Sequence, residues 1–297
     1  MADTEQQPLK TYRGNCHCGA FVYEADLPEI TSAIECNCSI CVKKGYLFLF
    51  LGRDKFRVVK GSEDQLTVYA FGTRVLEHLF CPKCGITPIV RRVDVGVFTP
   101  DAEVGVNVHA LQGVNSWDVE RKHIDGKSMR GDYEPPAHKG DLPKAEVEGG
   151  KVYTGSCHCG KVAVAVKSKP IDETFSELVN TCNCSICERG AYVWIYPPRE
   201  QVVLAAESDS DIGEYRFARN ISAKTFCRTC GVQMTNRFEP LSAEEAEKLS
   251  DVDKTWRPWA ATIHPVNIRV LDGVDLSVFK PKRTTSAADL EPLYVNP

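Results

Sequence analysis

The side chains in this sequence best equipped for chemistry are its 14 cysteines, and their spacing occurs twice. Cys16, Cys18, Cys36, Cys38, Cys41, Cys81 and Cys84 are followed by Cys157, Cys159, Cys182, Cys184, Cys187, Cys227 and Cys230, and none is left over. The step from Cys16 to Cys157 is 141, whereas the steps from Cys36 to Cys182 and from Cys81 to Cys227 are 146, so five residues were inserted near Pro170–Glu177. The flanking residues repeat too. GNCHCG at Gly14–Gly19 matches GSCHCG at Gly155–Gly160, CNCSIC begins at both Cys36 and Cys182, and FCPKCG from Phe80 matches FCRTCG from Phe226. VNVHALQGVN from Val106 matches VNIRVLDGVD from Val266 at a step of 160, which places 14 more inserted residues in the second copy.

Seven thiols per copy do not suit disulfides, which would strand one cysteine in each. A thiolate cluster selects soft or borderline ions, and zinc leads that group. CxC and CxxC pairs each offer two sulfurs from a tight turn, and two such pairs close a tetrahedron. The expected closed sites are therefore Cys16, Cys18, Cys81 and Cys84 in the first copy, and Cys157, Cys159, Cys227 and Cys230 in the second. Such sites tie together distant segments and supply folding free energy, so their role is structural.

The CxCxxC sets differ. Cys36, Cys38 and Cys41, and likewise Cys182, Cys184 and Cys187, give three sulfurs from one loop and leave a fourth position, where zinc does chemistry unless another side chain closes it. Three thiolates and a divalent zinc sum to about −1, a poor arrangement for activating water but a good one for taking a substrate thiol as its thiolate. A sulfur presented there can attack a carbonyl or leave from carbon. Near these loops, Ser39 and Ser185 are candidate hydrogen-bond donors to a substrate sulfur, with turn capping as the plain alternative. His78, three residues before Cys81, is the candidate acid or base, and Lys224 takes its place in the second copy. Lys43, Lys44, Arg74, Arg189 and Arg199 are cations able to meet carboxylates, although solvated surface is their ordinary role. His17 and His158 sit between ligands and are expected to point away from the metal. His109 and His264 fall in strand-like segments and read as ordinary.

The elements that must position these residues are mostly strands. Period-two alternation marks Lys161–Lys167, Phe56–Val59 and Leu66–Phe71, and the short apolar, aromatic-rich runs Tyr46–Leu51 and Ala191–Tyr196 suit buried strands. Ser242-Ala-Glu-Glu245 has the order of a capping box, so the insertion in the second copy is expected to form a short surface helix. Asp125–Gly150 mixes Gly, Pro and charge without apolar periodicity, as linkers do. The expected fold class is mainly β, with two tandem twisted antiparallel-sheet domains at 10–130 and 151–285, a linker at 131–150 and a tail at 286–297.

Composition fits two globular domains. The 297 residues are 43% hydrophobic and 26% charged, with a formal net charge of −4. That balance opposes a phosphate-tracking surface, so no nucleic-acid partner is expected and the basic runs Arg91-Arg92 and Lys280–Arg283 read as solvated surface. No stretch of about 18 apolar residues occurs, so no membrane span is expected. The polar N-terminus has no signal-peptide pattern, and the expected address is the cytoplasm, where thiols stay reduced, with the nucleus as the alternative.

GNCHCG and GSCHCG, the two CNCSIC loops with the glycines Gly45 and Gly190 close behind, and the FCxxCG motifs together resemble the glutathione-dependent formaldehyde-activating enzyme family, which includes centromere protein V-like proteins. The resemblance spans most of both copies. It implies a twisted all-β fold with up to four zinc ions per chain, two structural and two in the CxCxxC loops, and glutathione as cosubstrate. It further implies a carbon-sulfur lyase, or a catalyst of adduct formation between glutathione and formaldehyde. Many relatives carry histidine where this chain has Asn37 and Asn183, so a proton transfer assigned to that histidine has no counterpart here. The function expected is thus making or breaking a carbon-sulfur bond between a thiol and a small electrophile. The alternatives are a non-catalytic zinc module for protein or chromatin partners, and a thiol or zinc sensor.

Overall fold

The computed structural model of the chain describes residues 8–93, 102–129, 132–218, 220–238 and 241–297. The first copy contains β1 (Lys10–Asn15), β2 (Val22–Leu27), β3 (Ser32–Cys36), β4 (Leu47–Leu51), β5 (Phe56–Lys60), β6 (Thr67–Tyr69), β7 (Leu76–Phe80), β8 (Ile89–Arg92), β9 (Val104–Asn107) and β10 (Glu120–Ile124). The second repeats them as β11 (Lys151–Ser156), β12 (Val162–Ser168), β13 (Asn180–Cys182), β14 (Trp194–Ile195), β15 (Val202–Ala206), β16 (Ile212–Tyr215), β17 (Ser222–Cys227), β18 (Gln233–Phe238), β19 (Val266–Asn267) and β20 (Lys282–Thr284). The short helices are α1 (Ser39–Lys44), α2 (Gly126–Met129), α3 (Ser185–Gly190) and α4 (Ala243–Glu247), and α5 (Asp251–Thr262) is the longer one. The chain is mainly β, as its alternation implies. Residues 132–150 hold no helix or strand.

Each copy has a three-stranded sheet, β1-β2-β5 or β11-β12-β15, and a seven-stranded sheet. The large sheets run β10-β3-β4-β9-β8-β7-β6 in the first copy and β20-β13-β14-β19-β18-β17-β16 in the second, so matching strands hold matching places. The chain forms two compact units: one is Met1–Tyr133 with Glu188–Ala191 and Val295–Pro297, and the other is Glu134–Cys187 with Tyr192–Tyr294.

The cores follow from the apolar runs. Val162, Ala163, Val164, Ala165 and Val166 are all buried along β12, because this strand is the middle of its sheet and its Ala and Val faces are both covered. In the first copy Ala33, Leu47, Val108 and Val119 form a buried cluster flanked by Ile30, Leu49 and Val114. Among the described residues the pairings are antiparallel with one exception per copy. β10 lies parallel to β3, setting Ile124 opposite Cys36, and β20 lies parallel to β13, setting Thr284 opposite Cys182.

The insertion in the second copy is larger than the capping box suggested. Ser242 and Glu245 do form a reciprocal capping box at the start of α4, but the chain then continues into α5, whose Asp253, Arg257 and Ala260 are buried. Ala260 joins Phe238 and Ile263 in a small core against which Tyr196 and Trp256 pack. Pro258 lies inside α5, and a proline there reads from sequence as a stop. The arginine pair at β8 is less solvated than expected, since Arg91 bonds Glu77 through Nε at 3.0 Å and Arg92 lies over the Phe50 ring at 4.8 Å.

Candidate metal centres

Each CxC turn and its distant CxxC turn converge. Cys16, Cys18, Cys81 and Cys84 present sulfurs within 4.8 Å of one another, and Cys157, Cys159, Cys227 and Cys230 do the same. The CxC turn follows β1 (or β11) and the CxxC turn follows β7 (or β17), so the cluster joins the small sheet to the large one. The turns are tight because Gly85 N donates to Cys81 O and Gly231 N to Cys227 O, both at 2.8 Å. The sulfur separations are 3.7 Å for Cys16–Cys18, 3.5 Å for Cys18–Cys81, and 3.6 Å for both Cys157–Cys159 and Cys159–Cys227. A sulfur tetrahedron around zinc has edges of about 3.8 Å, whereas a disulfide needs about 2.05 Å. The spacing therefore fits a shared cation, and all 14 cysteines are free.

The electrostatics point the same way. Hydrogen bonds with Cys18 and Cys81 push the Cys16 thiol far up, while the hydrogen bonds from Cys16 and Cys81 draw Cys18 far down. Sulfurs this close share protons and cannot all ionise without a positive charge among them. Backbone N–H groups add to the site, from Phe21 to Cys16 Sγ and from Val162 to Cys157 Sγ, both at 3.3 Å. His17 and His158 are buried but belong to neither cluster.

The two CxCxxC loops gather their three sulfurs, Cys36 with Cys38 and Cys41, and Cys182 with Cys184 and Cys187. Among the described residues, no histidine, carboxylate or further cysteine joins either group. The loops include one helical turn each, α1 and α3, which start at Ser39 and Ser185 and put the third cysteine back beside the first two. Cys38 N donates to Cys36 Sγ at 3.4 Å and Cys184 N to Cys182 Sγ at 3.3 Å. In the first copy α1 ends on Gly45, with φ +70° and its N–H on Cys41 O. Counted at the common step of 146, its partner is Ala191, which takes φ +48°, so Gly190 is a helix residue and not the turn glycine.

The asparagines inside these loops have a role that the sequence did not disclose. Asn37 donates through N to Ile124 O at 3.3 Å and through Nδ2 to Asp125 Oδ1 at 2.9 Å, and its Oδ1 accepts from Lys127 N at 2.9 Å. Asn183 donates through N to Thr284 O at 3.0 Å and through Nδ2 to Thr285 O at 2.7 Å, and accepts from Ala288 N at 3.2 Å. Each asparagine thus pins the segment that follows the parallel strand across its own metal loop. Asp125–Ser128, read as the beginning of a linker, is part of this strap, and the Asn37 and Ser128 bonds hold the Asp125 carboxyl below its ordinary range. Gly126 lies so close that a Cβ there would come within 2.2 Å of Cys36 Sγ, so no larger residue fits without moving the strap.

The surroundings of the two loops diverge. At the place of His78, which is buried in β7 beside Phe71, the second copy has Lys224. Phe48 is replaced by Trp194, whose Nε1 donates to Cys187 Sγ at 3.4 Å. Phe50 is replaced by Tyr196, whose hydroxyl accepts from Asn180 Nδ2 at 3.0 Å, while Asn180 Oδ1 accepts from Thr284 Oγ1 at 2.9 Å. Burial raises the Tyr196 hydroxyl and the charges of Cys187, Cys182 and Cys184 add to that rise, which places it beside the second loop.

Most of the candidate carboxylate binders are committed elsewhere. Lys44 is buried with Nζ on Thr87 Oγ1 at 2.8 Å, Arg189 donates to Asn296 Oδ1 at 2.6 Å, and Arg199 donates to Phe238 O at 2.6 Å. Lys43 is buried too, and Arg74 is exposed. His109 is buried in the turn after β9, and His264 lies 3.0 Å from Thr235 Oγ1 through Nε2.

Two tandem β domains, each with one four-cysteine and one three-cysteine cluster able to hold a metal ion, define the class. The profile of the glutathione-dependent formaldehyde-activating enzyme family matches residues 11–112 and 152–263, and the chain belongs to that family as a tandem pair. It is also similar to a Rhodobacter sphaeroides protein of known crystal structure, at 38% identity, covering 37% of this chain and 99% of that one, with a TM-score of 0.32. Among the described residues no helix is long and apolar enough to cross a membrane.

Proposed function

We propose that the protein is a zinc-dependent enzyme that makes or breaks a carbon-sulfur bond between a thiol, glutathione first, and a small electrophile of the formaldehyde kind. The observation that carries this reading is the three-cysteine cluster, which has no fourth protein ligand among the described residues. Zinc bound there supplies an open position at which a thiol loses its proton near neutral pH. The four-cysteine clusters take no part in the chemistry and hold the small sheet to the large one.

The chain's own residues divide the remaining work. Cys36, Cys38 and Cys41, and Cys182, Cys184 and Cys187, are the ligands that leave room for substrate. Asn37 and Asn183 hold the strap and so shape the approach to each loop, which is a positioning role and not the proton transfer assigned to histidine in relatives. His78 remains the acid or base proposed for the first copy. Fourteen free thiols suit a reducing compartment, and the cytoplasm is the address we assign.

The test counts sulfurs around zinc by X-ray absorption, with and without glutathione. Two sites of four sulfurs and two of three average about 3.5, and a rise towards about 4 on adding glutathione is the expected result. An unchanged count would overturn the reading. Cys38→Ser combined with Cys184→Ser is expected to abolish turnover in a protein that stays folded, and retained turnover would also sink it.

A further inference from the structure

Lys224 stands out among the buried side chains of the second copy. It is 7% exposed, and no carboxylate pairs with it among the described residues. Its Nζ lies 4.7 Å from the centre of the Trp194 ring and 5.6 Å from that of Tyr192, and these two rings stack on each other at 4.3 Å. Lysine is almost never buried unless its charge is matched, because desolvating an ammonium costs far more than an aromatic face returns. The anionic group that shares this indole is the sulfur cluster, since Trp194 Nε1 donates to Cys187 Sγ at 3.4 Å.

At the matching positions the first copy lacks both features. Phe48 has no N–H to give to Cys41, and His78 is no permanent cation. A three-thiolate zinc centre carries about −1, and a fourth thiolate brings it to about −2, a step that a nearby fixed cation eases and its absence opposes.

We propose that Lys224 is the fixed countercharge of the Cys182–Cys184–Cys187 centre, and that this centre is therefore the tighter binder of anionic thiols in the chain. Lys224 acts on the affinity for the thiolate through the charge of the centre, as an electrostatic positioning residue. This deepens the proposed function and rests on it, since it presumes that the three-cysteine centres take a thiol at all.

The test uses the full chain loaded with cobalt, titrated with glutathione and read by sulfur-to-cobalt charge-transfer absorption, so that no turnover is needed. Cys38→Ser silences the first centre and reports the second; Cys184→Ser does the reverse. The second centre is expected to bind glutathione roughly ten-fold more tightly than the first, and Lys224→Met to remove roughly that factor while Lys224→Arg keeps it. Conversely, His78→Lys should tighten the first centre, which keeps the inference testable if Lys224→Met fails to load cobalt. Equal affinities that Lys224→Met and His78→Lys leave unchanged would overturn the role of Lys224 alone. Absence of glutathione coordination at both centres in the unmodified ligands would overturn the thiol-binding reading itself, and this inference with it.

Discussion

The two three-cysteine loops are copies in everything that builds them and differ in most of what surrounds them. CNCSIC, the single helical turn, the parallel strand and the asparagine that clamps the strap occur in both. Around them, His78, Phe48 and Phe50 in one copy become Lys224, Trp194 and Tyr196 in the other, and among the described residues only the second carries a helix such as α5, packed against Tyr196. A repeated frame with unrepeated walls presents the same set of cysteines in two different surroundings. The four-cysteine clusters give the opposite contrast, because their cysteines repeat and so does the backbone N–H on the first sulfur of each.

The largest expected effect separates the two kinds of cluster. Cys81→Ser should destabilise the first copy by several kcal/mol, since a structural metal contributes folding free energy outright. Cys38→Ser should leave the melting transition of that copy nearly in place and remove the chemistry. Thermal melts of both variants, with metal counted in each, check this, and an equal loss of stability would erase the distinction between closed and open centres.

A smaller effect tests whether the copies respond alike to acid. Burial, aided by the Arg199 and Arg237 charges, lowers His264 to about 4, and its counterpart at the step of 160 is Val104. His264 is thus neutral in the folded protein, whereas the unfolded chain binds the proton with a pKa of about 6.5. Stability present above the unfolded value is lost as pH falls from there towards the folded one, by about 3 kcal/mol in total. The second copy should therefore unfold at higher pH than the first, and His264→Val should narrow the gap. An NMR titration of His264 that gives an ordinary value would break the argument.

Much of this was legible in the sequence. The repeat, the grouping of the cysteines and the β class follow from cysteine arithmetic and alternation, because those signals are local and strong. The straps were not. Glu120–Ile124 is exposed along its whole length and Lys282–Arg283 likewise, so these edge strands bury no apolar face and carry no alternation to read. Helix α5 was hidden by Pro258, and the roles of Asn37 and Asn183 needed partners some 90 to 105 residues away. Spacing reveals which groups can share a metal, but not which backbone passes over it.

A comparison of the straps comes next in size. Asn37→Ala and Asn183→Ala each remove one side-chain donor and one acceptor at a partly solvated site, worth about 1 kcal/mol of strap docking. Exchange of the Lys127 and Ala288 amides, which donate to these asparagines, should accelerate roughly five-fold. If only one copy responds, the clamp belongs to that copy and the frames are less alike than their hydrogen bonds suggest.

The smallest effect lies at the end of the loop helices, where one copy has glycine and the other has alanine in the same left-handed conformation. Gly45 at φ +70° suits that position, while Ala191 at φ +48° brings its Cβ close to the following carbonyl. Gly45→Ala should cost the first copy about 1 kcal/mol. Ala191→Gly relieves the same strain but gives up a buried methyl and some chain entropy, so its net gain should be only about 0.5 kcal/mol. Denaturant unfolding of the two variants decides whether the signs are opposite. A loss in both would mean that Ala191 owes its place to packing around the second loop, and the walls, not only the frame, would then help to hold the metal-binding turn in shape.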